Sequence, residues 1–232
     1  MATKNIITTQ STKIAKGEKL GWLTAVLYLA PADESGVLQT CPAATCKVCK
    51  QGCLRDSGCM AWSSSARARQ WRTELLASDP DAFHAAIDRD LESLKRRADK
   101  LGMRPAFRPN GTSDMPGMAR AIAKRHPDLT VYDYTKIPQP HKRTLDNYHL
   151  TFSYDGYNWE ACRDALANGI NVAVVFSTKR SGKLPGFFRG MPVVDGDTTD
   201  LRFLDQVGGC VIGLRAKGKA RKDNTGFVVK VD

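Results

Sequence analysis

Short apolar runs alternate with helix-patterned stretches along most of this chain, and that alternation limits the fold more than any other feature of the sequence. The first run, Trp22–Ala30, is almost wholly apolar and reads as a buried strand. Arg104–Arg108, Leu129–Asp133, Tyr148–Ser153, Asn171–Phe176, Val193–Val194, Cys210–Leu214 and Phe227–Val231 read as further strands. Helical patterns fall between them at Ser63–Leu76, Met118–Arg125 and Trp159–Ala167, the last with Gly169 placed to end it. The clearest helix opens at Asp79, a capping side chain, with Pro80 at a first helical position that tolerates proline. Phe83, Ile87, Leu91, Leu94, Ala98 and Leu101 then recur at helical spacing and predict a core-facing stripe. Such alternation predicts parallel βαβ units, each right-handed crossover adding a strand to one sheet. Six or so of these strands make a partial (β/α) barrel, so the expected fold class is α/β. No repeat of fixed period and no linker divides the chain. The expectation is a polar N-terminal arm over 1–20 and one domain over 21–232.

A chain of 232 residues suffices for one such domain with a sizeable core. Its 42% hydrophobic and 25% charged content is ordinary for a globular chain and argues against disordered or fibrous classes. The first residues lack the apolar core of a signal peptide, and Leu23–Ala30 is too short to span a bilayer. These readings place the protein in the cytosol, where thiols stay reduced and no membrane is engaged. The formal net charge of +11 favours a polyanionic partner, most simply DNA or RNA. Arg67, Arg69 and Arg72 form one basic group; Arg215, Lys217, Lys219, Arg221 and Lys222 form another. Each reads equally as a phosphate contact or as a solvated face.

Five of seven cysteines crowd between positions 41 and 59, spaced C-x4-C-x2-C-x3-C-x5-C, between the first strand and the first helix. In a reducing compartment this N-terminal cysteine-rich loop points to a metal or cluster rather than to disulfides. Zinc sites usually combine two close pairs, and here only Cys46 and Cys49 form one. Cys162 and Cys210 stand alone, and His84, His126, His141 and His149 lack finger spacing. Several thiolates on one tight loop are what a [4Fe–4S] cluster needs. The expected ligands are Cys41, Cys46, Cys49 and Cys53, with zinc as the alternative metal and Cys59 a bystander.

In parallel α/β folds ligands sit at the C-terminal ends of the strands. Polar groups follow the strand candidates at 110–114, 133–136, 153–155, 177–180 and 195–200. Asn110, Gly111, Ser113 and Ser153 are the expected cofactor-binding residues. Asp114, Asp133, Lys136 and Asp197 are the expected catalytic ones, the carboxylates moving protons and the lysine holding an anion. Each group taken singly also reads as turn chemistry.

Two resemblances follow from these motifs. Cys41-x4-Cys46-x2-Cys49 is one residue longer than the C-x3-C-x2-C of radical S-adenosylmethionine enzymes. Asn110-Gly111-Thr112-Ser113-Asp114 and Ser153-Tyr154-Asp155-Gly156 fall near that family's second- and fourth-strand motifs. The resemblance implies a radical-SAM-like partial barrel, an iron–sulfur cluster and S-adenosylmethionine. The segments 21–32, 110–114, 132–138 and 195–205 resemble phage and prophage proteins of the mycobacteriophage gene product 88 group. Its three-cysteine pattern, C-P-x5-C-x3-C or one residue longer, falls here on Cys41, Cys49 and Cys53. That likeness implies a phage or prophage origin.

Overall fold

The computed structural model describes residues 5–9, 12–43, 53, 58–205 and 208–231. Six parallel strands lie side by side in chain order: β1 (Trp22–Val26), β2 (Arg104–Arg108), β3 (Thr130–Thr135), β4 (Tyr148–Ser153), β5 (Val172–Phe176) and then β8 (Val211–Arg215). β7 (Met191–Asp195) continues the sheet parallel to β8, and β6 (Phe187–Phe188) turns back antiparallel on β7. β9 (Val228–Val229) pairs with β5. The result is a nine-stranded, mostly parallel sheet that does not close on itself. β4 covers only Val172 and Ala173 of β5, and β9 takes over beside Val175 and Phe176. The C-terminal ends of β4 and β5 are therefore spread apart, with β9 wedged between them.

The helices are α1 (Thr12–Glu18), α2 (Ser63–Ser78), α3 (Pro80–Lys100), α4 (Pro116–Arg125) and α5 (Trp159–Ala167). α3 starts where the sequence places it: the Asp79 carboxylate accepts the Ala82 N–H, and Pro80 needs no donor there. Phe83, Ile87, Leu91, Leu94 and Ala98 are buried against β1 and β2. Leu101, expected in that stripe, is 52% exposed, because the helix stops at Lys100 and Gly102 turns the chain at a φ of 62°. Along β1 to β3 alternate side chains bury on opposite faces, so both faces are covered. Leu23, Phe107 and Val131 meet the helices. Trp22, Ala106 and Tyr132 meet Leu201 and Phe203, from the connection between β7 and β8.

Part of the expected polar arm is built into the domain. Ile6 and Ile7 are buried, and their N–H groups both donate to Asp90 Oδ2 on α3. Thr8 bridges to Val26, and α1 packs on β1. No helix among the described residues is long and apolar enough to cross a membrane.

Candidate functional site

A cavity of about 260 Å³ opens at the C-terminal ends of β2, β3, β4, β5 and β8. Parallel strands all end on one side of a sheet, so the polar residues that follow them converge there. Arg108 and Tyr134 extend the inner face of Ala106 and Tyr132 up to the cavity. All four expected cofactor-binding residues, Asn110, Gly111, Ser113 and Ser153, line it. So do Asp114, Lys136 and Asp197, and so do Cys41 and Cys53. Asp133 lies one layer beneath, 1% exposed and off the lining. Cys46 and Cys49 lie outside the described residues.

Hydrogen bonding sorts these residues. Asn110 donates its backbone N–H to Asp133 Oδ1 (2.9 Å) and its amide to Asp133 Oδ2 (2.7 Å). Its own Oδ1 accepts from the Ser113 hydroxyl and the Met115 N–H. Asn110, Ser113 and Asp133 thus hold one another and shape the loop. Burial pushes the Asp133 carboxyl up to about 7, against the pull of the Asn110 donors and the Arg108 charge. Gly111 is there for space: a Cβ would fall 2.5 Å from the Tyr28 ring and 2.7 Å from Val26.

Asp114 differs. Its Oδ2 accepts the Lys136 N–H at 2.8 Å, but its buried Oδ1 has no hydrogen-bond partner among the described residues. Burial raises its pKa, opposed by the Lys136 N–H and the Thr135 hydroxyl. Asp114 thus lines the cavity with a carboxyl group that burial inclines to hold a proton, its unpartnered Oδ1 lying beneath the surface. The Lys136 ammonium sits 5.7 Å from the Phe227 ring centre.

Asp197 is an ion-pair hub. It accepts from the Arg215 backbone N–H, the Arg215 guanidinium and the Lys217 ammonium, while its carbonyl accepts from Lys16 on α1. Burial alone would raise its pKa, yet Lys217 and Arg215 outweigh it and hold the carboxyl below its ordinary value. Both carboxylate oxygens are engaged in tying the 195–200 loop to the end of β8, and the backbone carbonyl ties it to α1. Sequence reasoning passed over Arg108, which is buried, pairs with Asp200 at 2.9 Å and lies 4.7 Å over the Tyr134 ring. Burial disfavours its charge, but Asp200 and the nearby tyrosines outweigh that and raise its pKa. A basic residue ending a strand just before Pro-Asn-Gly was the available signal.

Of the two basic groups read from the sequence, the first is mostly internal. Arg69 and Arg72 are buried and donate to the carbonyls of Met60 and Tyr28, leaving Arg67 at the surface.

Cys41 Sγ accepts the Ala32 N–H at 3.3 Å and lies 3.8 Å from the Thr112 carbonyl. Ala32 holds a φ of 51°, uncommon for a residue with a Cβ, while its carbonyl takes the Thr40 N–H. An N–H fixed on sulfur favours the thiolate a metal needs. Cys59 is exposed on a short turn, Gly58–Ala61, away from the cavity. Cys162 is on the buried face of α5, its thiol pushed up to about 12 by burial, and Cys210 is buried beside Asn171. No group of three His, Cys, Asp or Glu side chains able to hold a metal occurs among the described residues. Of the described thiols, Cys41 and Cys53 face the same cavity.

Comparison with curated proteins and with solved structures returned no match. A family model described as gene product 88 matches residues 3–231, nearly the whole chain. The chain accordingly belongs to the gene product 88 family, a family of phage gene products.

Proposed function

We propose that the cavity holds a [4Fe–4S] cluster on Cys41, Cys49 and Cys53, with one iron left open to a ligand, in a radical-SAM-like enzyme acting on or near nucleic acid; a fourth thiolate from Cys46 would close the cluster and leave it an electron-transfer or structural role. One observation carries this reading. Cys41 and Cys53, twelve positions apart, face the same cavity at the C-terminal ends of parallel strands. The chain-ordered strands β1 to β5 and β8 support the partial-barrel part of it. When bound, the cluster would supply one electron.

The chain's own residues would do the rest. Ala32 directs its N–H to Cys41 and favours the thiolate. The Asn110–Asp133 clamp holds the 110–114 loop in one shape. Asp114 accepts a donor from a ligand or gives up its proton. S-adenosylmethionine is the co-substrate to test. Its reductive cleavage takes in one electron and one hydrogen atom and releases methionine and 5′-deoxyadenosine.

Anaerobic purification with iron, sulfide and absorption measurements tests the reading. About four irons and four sulfides per chain and a broad band near roughly 400 nm are expected. Cys41→Ala and Cys53→Ala are expected to lose them, and Cys59→Ala to keep them. Zinc without sulfide would replace this reading with a metal-stapled nucleic-acid-binding module. Iron without 5′-deoxyadenosine from the reduced protein and S-adenosylmethionine would leave a cluster protein of another type.

A further inference from the structure

Two loops follow the paired strands β5 and β8: residues 177–186 and residues 216–222, of which Lys217 and Ala220 line the cavity. Together they carry Lys179, Arg180, Lys183, Lys217, Lys219, Arg221 and Lys222 and no acidic residue. All seven are exposed. The loops are held in register by Arg215, a cavity-lining residue. Its Nε and Nη2 donate to the Gly182 carbonyl at 3.1 and 3.0 Å, while its guanidinium also grips Asp195 and Asp197. Nearby carboxylates are engaged: Asp195 and Asp197 with Arg215 and Lys217, and Asp223 with the Val228 N–H and the Thr225 hydroxyl. Farther along the rim, Tyr157 is 72% exposed and anchored by its hydroxyl to the Thr225 carbonyl. Two residues past Thr225, Phe227 lines the cavity.

We propose that this rim binds a single-stranded nucleic acid. The phosphates lie along the two basic loops, a base stacks on Tyr157, and one nucleotide reaches the cavity beside Phe227. Two loops that carry seven cations and no acidic residue of their own, Lys217 being paired with Asp197, match a phosphate backbone. Anchored rings next to that row match unpaired bases, whose faces a duplex hides. The inference rests on the cluster-site reading for any chemistry on that nucleotide, whereas strand binding is measured without it.

The test is fluorescence anisotropy on the full chain with labelled 15-residue oligo(dT), oligo(rU) and a matched duplex across a salt series. Both single strands are expected to bind more tightly than the duplex, with log Kd rising about 0.7 per phosphate contact per decade of salt. Lys179→Ala/Arg180→Ala/Lys183→Ala is expected to weaken binding at least tenfold at low salt and to flatten the slope by about 2. Arg96→Ala/Arg97→Ala/Lys100→Ala removes equal charge from α3, next to the start of β2, and is expected to change neither. Tyr157→Ala is expected to weaken oligo(dT) binding without changing the slope. Equal loss in the two triple variants, preference for the duplex, competition by inorganic polyphosphate phosphate for phosphate, or no binding would each overturn the inference. Iron and sulfide are measured on the same preparations. Retained cluster without strand binding rejects this inference alone; strand binding without iron or sulfide rejects the cluster alone.

Discussion

Asp133 shows how burial alone can set a residue's role. Both its oxygens serve Asn110, and nothing but protein surrounds it, so its carboxyl titrates at about 7 instead of near its ordinary value of ~3.9. The folded protein then binds this proton more tightly than the unfolded chain does. The resulting stability is fully present below pH ~4 and is lost as the pH rises towards 7. Asp133→Asn keeps the shape and abolishes the titration. Its cost in stability is expected to be largest near pH 4 and to shrink by up to ~1.4 kcal/mol per pH unit towards pH 7. Urea unfolding at pH 4, 5.5 and 7 measures this; a constant cost would mean that Asp133 is charged throughout. Asp114 and Asp197 look equivalent to it in sequence. One keeps an unused oxygen and the other has both engaged, a difference created by Lys136, Arg215 and Lys217.

Among the elements, α3 was legible and the segment it fastens was not. The cap at Asp79, the proline after it and the apolar stripe all act within a few residues, so the sequence displays them together. The clasp between Asp90 and the N–H groups of Ile6 and Ile7 spans more than eighty residues, and no local pattern announces it. Asp90→Ala leaves two buried donors without an acceptor and is expected to cost ~2–3 kcal/mol. Hydrogen exchange at residues 5–9 should quicken while α3 stays protected. If 5–9 keep their protection, pairing with β1 holds them and the clasp is secondary.

At the scale of the whole molecule, the connection from β7 to β8 fills the inner face of an unclosed sheet. Phe203 meets the rings of Trp22 at 4.6 Å and Tyr132 at 5.3 Å, and Asp200 pairs with buried Arg108 just above. Phe203→Ala is expected to cost ~3 kcal/mol and to shift Trp22 emission to the red as water reaches the indole. An unchanged melting temperature would show that Leu201 suffices as the plug.

The parallel α/β order of strands and helices is legible in the residues alone, because hydrophobic period, caps and turn residues act over a few positions. So are the polar groups at the strand ends, which a parallel sheet must gather on one side. Which of them line the cavity and which hold one another beneath it, where the N-terminal residues are fastened and what plugs the sheet emerge only from the folded chain. Burial and hydrogen-bond partners settle those points, and they come from segments far apart in the chain.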